Sequence, residues 1–219
     1  MMPARMPAVP GVKVALVSDE RDPPRGWYWR GYLPHFDGSD VPQMITFHLA
    51  DALPRSLVQR WQADLRMYPE EKGAVELRRR VEAELDRGRG DCVLRRPEVA
   101  LLVEHAVRHW DGERYYLHAW VIMPTHVHVL LTLSGVQPMA EVLHSWKSYT
   151  SSAANRLLGR RGALWQREYF DRYVRSAKHF DSAARYIEQN PVVARLCAQA
   201  GDWPWGSAHC RQIGSRATL

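Results

Sequence analysis

The chain has 219 residues, 46% hydrophobic and 25% charged, with 30 Lys and Arg against 24 Asp and Glu for a net charge of +6. That length carries one sizeable core, or one core with an insertion, and the composition excludes a disordered, collagen-like or multi-span membrane chain. Cys92, Cys197 and Cys210 form no CxxC pair, which excludes a disulfide-stapled secreted scaffold and makes a reducing, cytoplasmic setting the expectation. The basic excess is compatible with nucleic acid without identifying it.

In chain order, residues 1 to about 25 carry Pro3, Pro7, Pro10, Pro23 and Pro24 without helical or strand period, and read as a flexible proline-rich arm. They also lack the uninterrupted apolar stretch of a signal peptide. An aromatic segment from Trp27 to Asp37 follows, broken by Gly31 and Pro34. Met44 to Leu49 alternates as a first strand. Pro54 suits a first helical turn, with Leu57, Val58, Trp61 and Leu65 on one face. After Pro69, Val75, Leu77, Val81 and Leu85 line a charged helix ending near Gly88 and Gly90, a helical insertion over about 69–90. Arg78-Arg-Arg80 on that helix reads as a solvated face, with phosphate contact as the lesser alternative. A third helix from Pro97 uses Leu101, Leu102, Ala106 and Val107.

Tyr115 to Leu133 reads as a hairpin turning at Met123-Pro-Thr125. Pro138 opens a long helix with the stripe Met139, Val142, Leu143, Trp146, Ala153 and Leu157. Leu164 to Val174 reads as one more strand, and a last helix runs from about Lys178 to Asn190. Leaving out the extra helices, this is the βαββαβ ferredoxin-like plan: an α+β fold with an antiparallel sheet, a helical insertion after the first strand and an added C-terminal helix. Residues 26–219 read as a single domain.

The hairpin carries His126-Val-His128. Alternate strand residues share a face, so both imidazoles point one way and Val127 and Val129 the other. Two readings stand: paired ligands for one divalent ion, or two satisfied histidines on a half-polar strand. The last helix adds a second constellation. Phe180, Ala183, Ala184 and Ile187 form its buried stripe, which leaves Tyr186 on the flank at ~100° per residue. Asn190 lies one turn on, on the same side. Pro191 is expected to close the helix. A phenol, a carboxamide and two imidazoles suit phosphodiester transesterification. The phenol is a weak nucleophile at neutral pH, and a cation holding a non-bridging phosphate oxygen offsets that weakness.

These motifs resemble the single-tyrosine HUH transposases, and among them the REP-associated tyrosine transposases. The resemblance runs from about Arg30 onward, through Arg30-Gly-Tyr-Leu-Pro-His-Phe-Asp37, Thr46-Phe-His-Leu-Ala-Asp51, the HxH strand, Lys147-Ser-Tyr-Thr-Ser151, Leu164-Trp-Gln-Arg-Glu-Tyr-Phe-Asp171, Tyr186-Ile-Glu-Gln-Asn-Pro191 and Asp202-Trp-Pro-Trp205. It implies a nuclease and strand-transferase acting on single-stranded DNA, often at small hairpins. Tyr186 is then the catalytic nucleophile, forming a 5′-phosphotyrosine, with His126, His128 and Asn190 as ligands of Mg²⁺ or Mn²⁺. It also implies a monomer or homodimer in the cytoplasm, in association with the nucleoid. The competing expectations are a domesticated hairpin-binding protein that no longer cuts, and a metallohydrolase working through metal-bound water.

Around this site, Lys147 is a candidate phosphate contact. Trp165, Arg167, Tyr169 and Tyr173 alternate on one expected strand face, where Trp165 and Arg167 are candidates for DNA binding, by stacking on bases or gripping phosphate. Tyr169 and Tyr173 read rather as core. Tyr149 is expected to pack, Trp203-Pro-Trp205 to anchor the C-terminal region, and His118 to be structural or to support the site.

Overall fold

The computed structural model describes residues 27–30, 33–36, 40–134 and 137–216. The expected proline-rich arm lies outside them. Strands β1 (Trp27–Arg30) and β2 (Leu33–Phe36) pair as an antiparallel hairpin of their own. The main sheet holds β3 (Gln43–His48), β4 (Tyr115–Ile122), β5 (His126–Leu133) and β6 (Phe170–Tyr173) in the order β4-β5-β3-β6, every neighbour antiparallel. The central strands, β5 and β3, carry His126, His128 and His48. Burial on both faces, not alternation with solvent, explains why His126 to Leu133 is buried at every position.

Between β3 and β4 run α1 (Arg55–Asp64), α2 (Glu70–Asp86) and α3 (Pro97–Arg108). The chain then adds α4 (Met139–Leu157) before β6, and α5 (Ala177–Val193) and α6 (Ser207–Arg216) after it. This is an α+β fold with the ferredoxin-like strand plan, interposed helices and two C-terminal helices where one was expected. Helices α3 and α4 cover one sheet face, where Val99, Val103, Val107, Met139, Val142 and Trp146 join Ile45, Phe47, Val127 and Val129 in the larger core. Helix α5 lies on the other face, where Ala183, Ala184 and Ile187 meet Ala119, Val121, Met123 and Leu130. Among the described residues no helix is long and apolar enough to cross a membrane.

Several expectations are corrected. Leu164 to Val174 is not one strand. Trp165 bridges Leu49, and Phe170 pairs with Thr46, so residues 166–169 stand opposite Phe47 and His48 alone and bulge out. The alternation is lost there. Trp165, a candidate for base stacking, is instead 6% exposed. Its ring meets Phe47 edge-on at 4.9 Å and its Nε1 donates to Thr150 Oγ1 at 2.8 Å. Lys147 caps the bulge, its ammonium donating to the carbonyls of Gln166, Arg167 and Glu168 at 3.0, 3.2 and 3.3 Å. Its charge is thus already committed to the backbone, and its role in phosphate contact is not supported by this geometry. Arg167 is exposed.

Helix α5 does not stop at Pro191. It continues to Val193, with Ala194 N–H donating to the Asn190 carbonyl at 2.9 Å. Proline removes one helical donor, yet the turn beyond it still finds acceptors, so the helix persists. On α2, Val81 and Leu85 are core residues while Val75 is exposed, and on α3 and α4 Leu101 and Leu157 face solvent. Tyr149, expected to pack, is 54% exposed. The C-terminal anchor does form: Trp203 Nε1 donates to the Ile122 carbonyl at 3.0 Å, and Ile122 N–H to that of Trp205 at 2.8 Å.

Candidate active site

His126 and His128 stand on the sheet face covered by α5, opposite His48 and Thr46 in the β3–β5 register. Their rings meet edge-on, centroids 4.6 Å apart. The surrounding hydroxyls decide which ring nitrogen carries the proton. Thr125 Oγ1 donates to the Leu85 carbonyl at 2.9 Å, leaving only its lone pairs for His126 Nδ1 at 3.0 Å. His126 Nδ1 is therefore the protonated nitrogen and Nε2 keeps a bare lone pair. At His128, Nε2 faces the donating Nδ2 of Asn190 at 3.4 Å, so Nδ1–H is directed at Thr46 Oγ1, 2.7 Å away. Both histidines thus keep an unprotonated Nε2, that of His126 beside Asp86 and that of His128 beside the Asn190 amide. Burial holds the His128 imidazole down at about 3, and holds His126 well below its ordinary value, with His128 and His48 adding to the effect. Both are neutral, the state a metal ligand requires.

Helix α5 brings the other two residues. Ser176 caps it, accepting from His179 N–H at 3.2 Å, and Ile187 sinks into the smaller core and sets its rotation. One position before, the Tyr186 ring meets His128 edge-on with centroids 5.6 Å apart. Burial raises the phenol well above its ordinary value. The carboxylates of Glu82 and Asp86 push the same way, and a hydrogen bond from Asn190 partly opposes them. Asn190 is 3% exposed, and its Oδ1 is buried without a hydrogen-bond partner. On the outer side of α5, Glu188 accepts from Ser207 Oγ at 2.7 Å and is paired with Arg211, which ties the tyrosine helix to α6.

The site has residues that the sequence reading passed over. Helix α2, expected as an insertion, supplies Glu82, which hydrogen-bonds the Tyr186 hydroxyl, and Asp86 close to His126. Burial raises the carboxyl of Glu82, and it pushes that of Asp86 up to about 6. The i, i+4 spacing of the two acids was a visible signal, masked by the many charges around it. His48 is a third buried imidazole on this face. Its Nδ1 donates to the Leu49 carbonyl at 3.0 Å and burial holds it at about 4. Arg78, expected in solvent, is half-buried, and burial together with Arg172 and Arg175 lowers its guanidinium below the ordinary value. Two adjoining cavities share Met44, Glu82 and Arg172, making one cleft that runs from Arg78 past Lys178 and His179 to Tyr186. His118 is structural, with Nε2 2.8 Å from Thr132 Oγ1 and its ring against Phe180.

Residues 97–190, which hold the HxH strand, α4 and the tyrosine helix through Asn190, match the family described as Transposase IS200 like. That match spans under half of the chain, and marks this stretch as similar to IS200-like transposases. A REP-associated tyrosine transposase of Escherichia coli (strain K12) is 26% identical over 110 residues, 49% of this chain and 64% of that relative. The chain thus aligns with somewhat under two thirds of that relative's length. The solved structure of a REP-associated tyrosine transposase bound to a REP hairpin shares the fold, with a TM-score of 0.53 at 16% identity, covering 84% of this chain and 86% of that one.

The similarity to IS200-like transposases makes a divalent metal ion the group to test against this site, and the donor types present suit one. Among the described residues no group of three or more His, Cys, Asp or Glu side chains is placed to hold a metal ion. The site instead offers two imidazole lone pairs beside a buried carboxamide oxygen that has no partner. Imidazole nitrogen with amide and carboxylate oxygen is a donor set suited to a first-row or alkaline-earth divalent cation.

Proposed function

We propose that this protein is a metal-dependent endonuclease and strand-transferase of single-stranded DNA, acting at hairpins through a covalent 5′-phosphotyrosine on Tyr186. The observation that carries the reading is the convergence of Tyr186 and Asn190, one helical turn apart, on the paired Nε2 lone pairs of His126 and His128. Support for the substrate comes from the arginine-lined cleft that ends at Tyr186, and from the solved relative in complex with a REP hairpin.

His126, His128 and Asn190 would hold Mg²⁺ or Mn²⁺. The ion would polarise a non-bridging oxygen of the scissile phosphate and stabilise the charge that develops there. The chain's own groups do the rest. Arg78 and Arg172 neutralise the incoming backbone, and the cleft orients the strand. Glu82, hydrogen-bonded to the Tyr186 hydroxyl, accepts its proton as the phenolic oxygen bonds to phosphorus and the 3′-oxygen departs, taking a proton from solvent. The phosphodiester energy is kept in the phosphotyrosine, so a 3′-hydroxyl can later reverse the step.

The test is a covalent-adduct assay with Mn²⁺ and labelled single-stranded hairpin oligonucleotides drawn from the neighbourhood of the gene. The wild type is expected to give a metal-dependent shifted band on a denaturing gel, and Tyr186→Phe to lose it while still retarding the DNA on a native gel. Adducts that persist in Tyr186→Phe would remove the nucleophile assignment. A retarded complex without adduct in the wild type would replace the enzyme with a hairpin-binding protein.

A further inference from the structure

Helix α2 brings a carboxylate to the imidazole pair that neither the Tyr-Ile-x-x-Asn-Pro helix nor the HxH strand supplies. Asp86 Oδ1 is buried, has no hydrogen-bond partner among the described residues, and lies 3.9 Å from His126 Nε2. His126 donates through its other nitrogen, to Thr125, so Asp86 Oδ1 is an acceptor facing a lone pair. Two acceptors facing each other in a buried place, with Asn190 Oδ1 a third orphan nearby, are each short of a positive partner. A separation of 3.9 Å is too long for a hydrogen bond. It falls within the span of two ligands on one ion, about 3 Å apart when adjacent and about 4.2 Å when opposite, given ligand distances of about 2.1 Å.

There is also a way in. Asp86 and His126 line a small cleft between the end of α2, Met123 and Pro124 of the hairpin turn, and Ala194 and Leu196 beyond α5. Arg87 and Arg95 also line it, and it shares no lining residue with the cleft that ends at Tyr186, so Asp86 and His126 have an opening separate from the proposed DNA path.

We propose that Asp86 becomes a ligand of the divalent cation, which would draw together two imidazoles, one carboxylate and one carboxamide that form no ready-made three-member His/Asp cluster among the described residues. Helix α2 is then part of the metal centre, and no longer an insertion beside it. The carboxylate is the hard, charged donor of the set and biases it toward Mg²⁺ and Mn²⁺ over softer ions. This inference rests on the proposed function only in taking the histidine pair as the metal site.

The experiment is calorimetric titration of the full chain with Mn²⁺, alongside thermal melts with and without Mn²⁺, for wild type, Asp86→Asn, Asp86→Ala and His126→Ala. Asp86→Asn and Asp86→Ala are expected to weaken Mn²⁺ by at least about tenfold and to shrink the metal-induced rise in Tm. The Tm of metal-free Asp86→Asn should stay level or rise, because an uncompensated buried acceptor is relieved. Asp86→Asn binding Mn²⁺ as tightly as wild type, while His126→Ala loses it, overturns the Asp86 assignment and leaves the proposed function standing. A His126→Ala variant that titrates like wild type, or a wild type that takes up no Mn²⁺, overturns both. A fall in metal-free Tm with unchanged Mn²⁺ affinity makes Asp86 a structural residue and likewise overturns the assignment.

Discussion

The Thr125 hydroxyl decides more about the site than its size suggests. It joins the end of α2 to His126 by donating to the Leu85 carbonyl and accepting from the imidazole, so one side chain sets both a helix position and a tautomer. Thr125→Val keeps the shape and removes the oxygen. It is expected to cost about 1–3 kcal/mol through the two groups left unpaired and to weaken Mn²⁺ about 10- to 100-fold, read by denaturant melts and by titration. The buried imidazoles also make a prediction about acid. His48 is held at about 4 and His128 at about 3, against an ordinary 6.5, chiefly by burial. Below pH 6.5 the unfolded chain takes up protons that the folded chain refuses, so stability falls as pH drops, until about 4 for His48 and about 3 for His128. For His48 alone the full loss is about 3 kcal/mol. Urea midpoints between about pH 7 and pH 4 should fall steadily, and a flat profile would mean that these rings are protonated in the fold.

At the scale of elements, two helices hold the reacting groups and each is fixed by an interaction far along the chain. Helix α5 is gripped by α6 through Glu188 with Ser207 and Arg211, and α2 is seated by Val81 and Leu85 in the larger core. The exit from α2 is equally constrained. Gly90 has a φ of +86°, and a Cβ there would stand 2.6 Å from the Asp51 carboxylate, which accepts from Asp91 N–H at 2.8 Å. Lys147 does a similar job for the bulge at 166–169, where three carbonyls would otherwise go without this donor. Lys147→Met keeps most of the apolar stem and removes the donors. It should destabilise the protein by about 2 kcal/mol and expose the bulge to limited proteolysis, with little change in affinity for single-stranded DNA. A large loss of affinity with unchanged stability would instead restore Lys147 as a phosphate-binding residue.

At the scale of the whole molecule, the modest net charge of +6 matters less than where the arginines lie. Arg78, Arg172 and Arg175 are close enough to depress the Arg78 guanidinium, beside the cleft that leads to Tyr186. Replacing all three by Gln is expected to weaken single-stranded DNA binding and to lower the slope of log K against log salt by about 0.7 for each phosphate that is no longer neutralised. An unchanged slope would place the DNA elsewhere. The strand plan, the histidine hairpin and the tyrosine helix were all legible in the amino-acid order, because each rests on local periodicity: two residues per strand repeat, and ~3.6 per helical turn. Those patterns survive whatever packs against them. The same order did not reveal that Trp165 turns inward, that Lys147 serves the backbone, or that Glu82 and Asp86 face the site, and it gave phosphate contact by Arg78 only as the lesser alternative. Trp165 departs from its alternation because the chain bulges opposite Phe47 and His48, which depends on the partner strand. The faces of α2 are set by which side of the sheet the helix comes to rest on. A charged helix looks the same in sequence whether its acids meet water or a pair of imidazoles, and only the tertiary packing of Val81 and Leu85 decides between them.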